Sequence, residues 1–297
     1  MKMKSNLNKI DQYISLKDNL LIAAKIFCAI LLVTFIKYQG ISLFIRSSAT
    51  ILLLGGLILP KLVKHPLFWL VIASFNLIHL VENYFSSANH QFLFVYYSFI
   101  FSLAFTNEEE QAEEFLIKSF KYMFIVVMGL ATLHKAFSLF YWQGGLIYDY
   151  MLRGGILKYF VTMIDSNNSA ITVLNAQKLE AFIGNYASIG QGIKLQEPLP
   201  WLSSLASILS ASVILIEATL TIMIASNRFQ RIKHWLYLSF VISTFFFRME
   251  NLFLSTIALT GFVLCPKENE TIRSTYFIII LYFLSLSVLS LMPGFYY

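Results

Sequence analysis

The sequence has few charged residues and only two cysteines. Asp, Glu, Lys and Arg make up 13% of its 297 residues, about half the share of a soluble globular domain. With so few charges, the chain fits neither the disordered nor the soluble class. Cys28 and Cys265 form no Cys-x-x-Cys pair, which excludes a zinc ribbon or a thioredoxin-like motif. The P-loop, Gly-x-Gly-x-x-Gly, His-Glu-x-x-His and Gly-x-Ser-x-Gly motifs are also missing.

Apolar residues dominate instead: 58% of the chain is hydrophobic and 16% is aromatic. A helix needs about 20 apolar residues to cross the hydrocarbon core of a bilayer. The sequence therefore predicts an all-α integral membrane protein. We expect a single transmembrane domain over residues 1–297, with a cytoplasmic N-terminal tail at 1–18. We predict about eight spans, near residues 19–37, 43–63, 66–85, 90–105, 116–137, 200–225, 235–264 and 275–292.

The seventh predicted span is long for one crossing. It carries Arg248, Glu250 and Asn251 near its middle. Because charged residues are costly inside a bilayer, we expect a kink, a tilt or a break at this point.

The net charge of +6 indicates orientation in a membrane, because the basic residues lie between apolar stretches. The bilayer rather than nucleic acid is therefore the expected partner. Cytoplasmic loops carry an excess of Lys and Arg. With the N-terminus inside, eleven basic residues fall in cytoplasmic segments and seven in outer ones, which favours an even number of spans. The outer set is Lys37, Arg153, Lys158, Lys178, Lys194, Lys267 and Arg273.

Two segments outside the apolar cores have distinct compositions. Residues 107–121 begin with Asn107 and a run of Glu, which predicts a capped start to the fifth helix, with Glu114 and Lys118 as an i,i+4 pair. Residues 138–199 are aromatic and are interrupted by two Gly-Gly pairs. Because Trp and Tyr favour the headgroup level, we predict short helices on the outer leaflet that form a lid over the bundle.

Ionisable residues within the predicted spans are candidates for a site. Lys135 and His134 lie near the outer end of the fifth span, where a desolvated lysine amine can serve as a base. Glu217 lies deep in the sixth span with no other charge within ten residues, so it needs a partner on another helix. Lys135 and Arg248 are the two candidates for that partner. A purely structural ion network remains an equal alternative.

Two other histidines have simpler interpretations. His79 and Glu82 share a helix face, but two ligands do not make a metal site, so we predict a hydrogen-bonded pair and no metal. His90 follows Asn89 where the chain re-enters the membrane. Taken alone, it is expected to be a cap or a loop residue.

Four segments, in order, resemble the transmembrane part of the vitamin K-dependent γ-carboxylases and of bacterial proteins with the horizontally transferred transmembrane domain. The resemblance covers roughly residues 15–265. The segments are Asn89-His90-Gln91-Phe92-Leu93; Gly129 to Lys135 with Trp142, Gly145, Tyr148 and Leu152 downstream; Leu215-Ile216-Glu217; and Phe245 to Leu264.

The resemblance implies a membrane enzyme that oxidises a vitamin K-type hydroquinone with O2 and uses the resulting base on a peptide glutamate. It implies that Lys135 is the base on the hydroquinone and that His90 assists carboxylation. We expect His134, beside the lysine, to assist as well. Substrate binding is expected at Glu217, Arg248, Glu250, Trp142 and Tyr148. The sequence departs from the family after Lys135, where Ala-Phe-Ser follows, and in the seventh span, where the family's Phe-His reads Phe-Phe-Arg-Met-Glu-Asn at residues 246–251.

The sequence ends shortly after the last predicted span, so we expect the bundle-only bacterial type. Such relatives work beside a small partner protein in maturing a secreted peptide. Three hypotheses follow: a carboxylase-like enzyme of a bacterial cytoplasmic membrane, a non-enzymatic scaffold or immunity or maturation partner, and a small transporter. The transporter ranks third because no inverted repeat is visible.

Overall fold

The computed structural model describes residues 19–37, 41–84, 91–153, 163–164, 168–183, 192–226, 228–247 and 250–289. Within these ranges all regular secondary structure is helical, as predicted. The helices are α1 (Asn19–Lys37), α2 (Leu43–Ile58), α3 (Pro60–Val63), α4 (Pro66–Glu82), α5 (Gln91–Ala104), α6 (Glu109–Ala136), α7 (Leu139–Trp142), α8 (Gly145–Arg153), α9 (Asn168–Ile183), α10 (Leu202–Ser226), α11 (Gln230–Phe247), α12 (Asn251–Leu264) and α13 (Glu270–Leu289).

Four of these helices are long and apolar enough to cross a membrane, namely α1, α6, α10 and α13. They support a membrane protein. The helices α2, α4, α5 and α12 are apolar but shorter, with 16, 17, 14 and 14 residues. At 1.5 Å per residue they reach about 21–26 Å, less than the roughly 30 Å of a hydrocarbon core. The count of about eight spans therefore stays a prediction.

The seventh predicted span consists of two helices. Helix α11 ends at Phe247 and α12 begins at Asn251, which confirms the expected break. Glu250 occupies the N-cap position of α12, whereas Arg248 lies outside the described residues.

Proline divides the second predicted span. That span was expected to run to residue 63, but α2 ends at Ile58 and Pro60 begins the separate short helix α3. Pro66 similarly begins α4, where the imidazole of His65 accepts a hydrogen bond from the backbone N–H of Leu67. Proline fits the first position of a helix because that position needs no N–H donor.

Helix α6 begins one residue later than Asn107 predicted. The N–H of Ala112 donates to the carbonyl of Glu108, so Glu108 takes the capping position. The side chain of Asn107 instead donates to the carbonyl of Leu103, at the end of α5. The predicted ion pair is confirmed: Nζ of Lys118 lies 2.5 Å from Oε1 of Glu114, and both side chains are exposed.

The chain divides into two compact units, one of residues 1–123 with 250–296 and one of residues 124–249. Helix α6 begins in the first unit and ends in the second. In the first unit Phe27, Trp69 and Phe101 stack on one another with ring centroids 4.7–5.8 Å apart. The indole N–H of Trp69 donates to the carbonyl of Val63 at 2.8 Å. Close aromatic packing and satisfied polar groups hold helices together where lipid supplies no hydrophobic driving force.

One end of the first unit differs from the predicted topology. Lys267 and Arg273 were predicted on the face opposite the start of the first span. The guanidinium of Arg273 instead donates a hydrogen bond to the side chain of Asn19, the first residue of α1. That placement was wrong because it counted residues 235–264, which contain α11 and α12, as one crossing.

The second unit contains residues 138–199, the segment predicted to form a lid, and the place of this lid at the outer leaflet stays a prediction. Its α8 packs on the first turns of α10 through a small apolar core of Ile147, Met151, Leu152, Leu199, Leu202 and Ala206. Asn175 of α9 is fully buried. Its amide donates to the carbonyls of Leu152 and Gln196, and its oxygen accepts from the N–H of Gln196. One side chain thereby ties together α8, α9 and the segment before α10, which has no regular secondary structure.

Candidate functional site

The end of α6 is shaped by the short helix that follows it. Lys135 lies in the last turn of α6, which ends at Ala136. The hydroxyl of Ser138 accepts from the N–H of Tyr141 and caps α7. The indole N–H of Trp142 reaches back to the carbonyl of Ala136 at 2.7 Å. This bond satisfies one of the carbonyl groups that every helix end leaves free, and it fixes α7 beside the end of α6.

Tyr141 packs beside the ammonium group of Lys135. The buried ring of Tyr141 lies 5.4 Å from the ammonium nitrogen of Lys135, measured to the ring centroid. A cation at this distance from an aromatic face is attracted to it by about 0.5–2 kcal/mol, depending on desolvation.

Glu217 lies on the buried face of α10. That face repeats with helical spacing and consists of Leu202, Ala206, Ser210, Ile214, Glu217, Leu220 and Ile224. The backbone carbonyl of Glu217 accepts a hydrogen bond from the hydroxyl of Thr221. The helix thus carries one carboxylate into an otherwise almost wholly apolar face.

Lys135 and Glu217 form an ion pair. The ammonium nitrogen of Lys135 contacts Oε1 of Glu217. The side chain of Glu217 is 5% exposed and that of Lys135 is 22% exposed. The prediction that Glu217 takes its partner from another helix is confirmed, and Lys135 is that partner.

The second oxygen of Glu217 stands apart from the pair. Oε2 is buried and has no hydrogen-bond partner among the described residues. The hydroxyl of Ser210, two turns earlier on the same face of α10, is likewise buried without a partner among them. The site thus combines one neutralised charge pair with spare acceptor capacity beside it.

Gly144 allows the lid to approach α10 closely. Its φ is +75°, a conformation that residues with a Cβ adopt rarely. A Cβ on Gly144 would lie 2.5 Å from the backbone nitrogen of Ser207 and 2.6 Å from the carbonyl carbon of Ala206. The turn between α7 and α8 therefore rests directly on the backbone of α10.

Tyr148 belongs to the core of the lid and not to the ion pair. It packs beside the apolar cluster between α8 and α10. Its partial burial, together with a hydrogen bond to the nearby carboxylate of Glu197, raises the pKa of the Tyr148 phenol above its ordinary value. Glu197 also accepts from the N–H of Ser203 in the first turn of α10.

The other predicted site residues are placed as follows. His134 is exposed on α6 and takes no part in the buried pair. Trp142 presents a partly exposed ring at the surface of the protein. Glu250 lies at the start of α12 in the first unit. His90 and Arg248 lie outside the described residues.

Tyr141, Gly144 and Ser210 were not predicted as parts of the site. The Gly144-Gly145 pair was visible as a chain break, but a sequence does not show which helix such a break faces. Tyr141 was one aromatic residue among many in the lid.

His79 has a partner that was not predicted: its Nδ1 lies 3.0 Å from the side-chain nitrogen of Asn83. The expected bond between His79 and Glu82 stays a prediction. Among the described residues no three His, Cys, Asp or Glu side chains form a group that could hold a metal ion.

Comparisons with known proteins give no match: neither family models nor curated proteins nor solved structures resemble this chain significantly. The arrangement itself offers one ammonium group, one carboxylate and one aromatic face between two apolar helices. Such a set can bind an anion, hold a phenol or pass a proton between nitrogen and oxygen.

Proposed function

We propose that this membrane protein is a carboxylase-like enzyme that acts on a quinol-type lipid or a peptide at the Lys135–Glu217 pair. The observation that supports the proposal is the pair itself. The lysine that the family resemblance assigns as the base meets an acidic residue from the helix on which the resemblance expects one.

The proposed chemistry is a proton transfer. An ammonium group cannot accept a proton, so Lys135 must first give one up, and the adjacent carboxylate of Glu217 is positioned to take it. The neutral amine then accepts a proton from a hydroxyl group of the hydroquinone substrate. Exclusion of water by the apolar faces of α6 and α10 makes such a base more effective.

The remaining residues have supporting roles in this proposal. The partly exposed ring of Trp142 is available to a substrate that arrives through the lipid. Tyr148 holds the lid in place through its packing beside α10. The roles expected from the sequence for His90, His134, Arg248 and Glu250 stay predictions. The proposed location is a bacterial cytoplasmic membrane with the N-terminus in the cytoplasm.

The test is turnover by the purified protein in detergent, supplied with a reduced naphthoquinone. O2 uptake and epoxide formation are compared for the unaltered protein, Lys135→Ala and Lys118→Ala. Lys118 lies on the same helix but is exposed, so it controls for loss of a lysine from α6. We expect Lys135→Ala to lose at least about a hundredfold in rate, the contribution of a positioned base. Equal rates for the two variants would refute the role of Lys135.

A second candidate is a non-enzymatic scaffold or maturation partner of a secreted peptide. The same ion pair favours this candidate as well. Lys135 and Glu217 neutralise each other, so their contact can serve to hold helices α6 and α10 together. A structural pair is replaceable by apolar residues of similar volume. Retention of the biological activity by Lys135→Met/Glu217→Leu, with a partner that co-purifies in fixed ratio, would support this candidate over the enzyme.

A further inference from the structure

A buried polar cluster joins three distant parts of the first unit at one end. Arg273 is 2% exposed. Its guanidinium donates to Asn19 and to the carbonyl of Cys265, and it lies 4.5 Å from the centroid of the Phe262 ring. These contacts bring together the start of α13, the end of α12 and the start of α1 at the same end of the first unit.

Glu113 extends the cluster to α6. Its carboxylate accepts a hydrogen bond from the side chain of Asn19 at 2.7 Å and pairs with Lys267 at 2.7 Å. Two cations, one carboxylate and one amide thus satisfy one another. Because an unpaired buried charge is costly, this set strongly favours the arrangement in which α1, α6, α12 and α13 meet here.

Contacts further along α1, α6 and α12 show in which direction each of these helices runs from the cluster. The hydroxyls of Tyr97 and Thr260 are 2.6 Å apart, and the rings of Tyr97 and Phe120 stack at 4.3 Å. Phe27 packs edge-on against Tyr97. Phe27 and Phe120 lie about two turns beyond Asn19 and Glu113, whereas Thr260 precedes Cys265. Helices α1 and α6 therefore run away from the cluster and α12 runs towards it.

We infer that α1 and α13 cross the membrane in the same direction, and that residues 265–269 lie on the face from which α1 starts. Both helices are long and apolar enough to span, and both begin at the cluster. Leu289, the last residue of α13, therefore lies on the face opposite Asn19. An even number of spans would place these two ends on the same face.

The basic residues identify the face of the cluster as cytoplasmic. Among the described residues of the first unit there are nine Lys and Arg: six lie at this end, two lie at the opposite end, and Lys25 lies within α1. The six are Lys61, Lys64, Lys118, Lys121, Lys267 and Arg273, and four more, Lys2, Lys4, Lys9 and Lys17, precede α1 in the sequence. The two are Lys37 and Arg46. An excess of this size in short loops marks the cytoplasmic side.

Cysteine accessibility tests the inference in intact bacterial cells. Starting from Cys28→Ala/Cys265→Ala, single cysteines replace Glu268 and Glu110 at the cluster end, and Glu82 at the end of α4. All three positions are exposed. Helix α4 starts at the cluster end, because the carbonyl of Pro66 accepts from Ser102, near the end of α5. Glu82 therefore marks the opposite face.

We expect a membrane-impermeant maleimide to label the Glu82→Cys variant in intact cells, and the Glu268→Cys and Glu110→Cys variants only after permeabilisation. Labelling of Glu268→Cys together with Glu82→Cys would overturn the parallel directions of α1 and α13. The reverse pattern in intact cells would overturn the cytoplasmic assignment. A C-terminal fusion to alkaline phosphatase, active only outside the cytoplasm, needs no substitution; an inactive fusion would also contradict the inference.

Discussion

The ammonium group of Lys135 lies against the carboxylate of Glu217, 82 residues further along the chain. The pair links the last turn of α6 to the middle of α10, next to the buried ring of Tyr141. An ion pair in this setting is neutral as a whole, so its formation removes most of the cost of placing two charges among apolar helices. Any chemistry at this site must begin from that neutral state.

The first prediction concerns the stability that depends on this pair. Lys135→Met leaves a buried carboxylate without its cation, so we expect a loss of about 1–3 kcal/mol in the free energy of unfolding. Lys135→Met/Glu217→Leu removes both charges and should recover most of that loss. Unfolding in detergent, followed by tryptophan fluorescence, measures both variants.

The exposed pair of Glu114 and Lys118 on α6 provides the control. Such surface pairs contribute about 0–1 kcal/mol, so Lys118→Met should be nearly neutral. If the double replacement at Lys135 and Glu217 were as unstable as Lys135→Met alone, the two side chains would not be coupled in the way that the contact indicates.

The charged residues of the site could be predicted from the sequence, whereas the aromatic residue beside them could not. Glu217 stood alone in an apolar span, and burial of a lone carboxylate requires a cation, so Lys135 was one of two candidates. Tyr141 had no comparable signal, because its role depends on how α7 folds back under the hydrogen bond from Trp142. Contacts between residues that are distant in sequence cannot be deduced from local spacing alone.

The fold, too, could be predicted from the sequence only in part. The bounds of α1, at Asn19–Lys37, agree with the prediction, because uninterrupted apolar stretches leave little choice of ends. The face that carries Arg273 was predicted wrongly. Arg248, Glu250 and Asn251 indicated a kink, a tilt or a break, but the local sequence did not distinguish a bent single crossing from two separate helices. An error there reverses the face of everything that follows.

A second prediction tests the close approach of the lid to α10. Gly144→Ala forces a Cβ onto the backbone of Ser207 at a positive φ. We expect a loss of about 1–3 kcal/mol and a lower midpoint of thermal unfolding. Gly129→Ala is the matched control, because its Cβ would meet only Thr221, at an ordinary 3.8 Å. Alanine also favours a helix over glycine by up to about 1 kcal/mol, so this control should be neutral or stabilising.

A third prediction concerns Asn175, which makes three hydrogen bonds inside the lid. Asn175→Ala leaves two carbonyls and one N–H without these partners, so we expect local opening of the lid to become easier by about 1–3 kcal/mol. Trypsin cleavage after the exposed Lys178 and Lys194 should accelerate by at least about fivefold. Asn107→Ala, which removes a single exposed hydrogen bond, should leave the rate unchanged. Equal cleavage in the two variants would contradict a locking role for Asn175.

The last prediction uses pH. Partial burial and the carboxylate of Glu197 raise the pKa of Tyr148 in the folded protein, so folding favours the protonated phenol. A group with a raised pKa stabilises the fold fully at pH values below its unfolded pKa, about 10 for tyrosine, and loses that contribution as the pH rises through the folded value.

Tyr148→Phe should therefore unfold at a lower temperature than the unaltered protein by a constant margin up to about pH 9, and the margin should shrink above about pH 10. Tyr122→Phe is the control: Tyr122 is exposed on α6, and its replacement should give no margin at any pH. Thermal unfolding from pH 7 to pH 11 measures both variants. A margin for Tyr148→Phe that persisted unchanged to the highest pH would contradict the raised pKa of the Tyr148 phenol, and the absence of a margin at every pH would mean that Tyr148 stabilises the lid through ring packing alone.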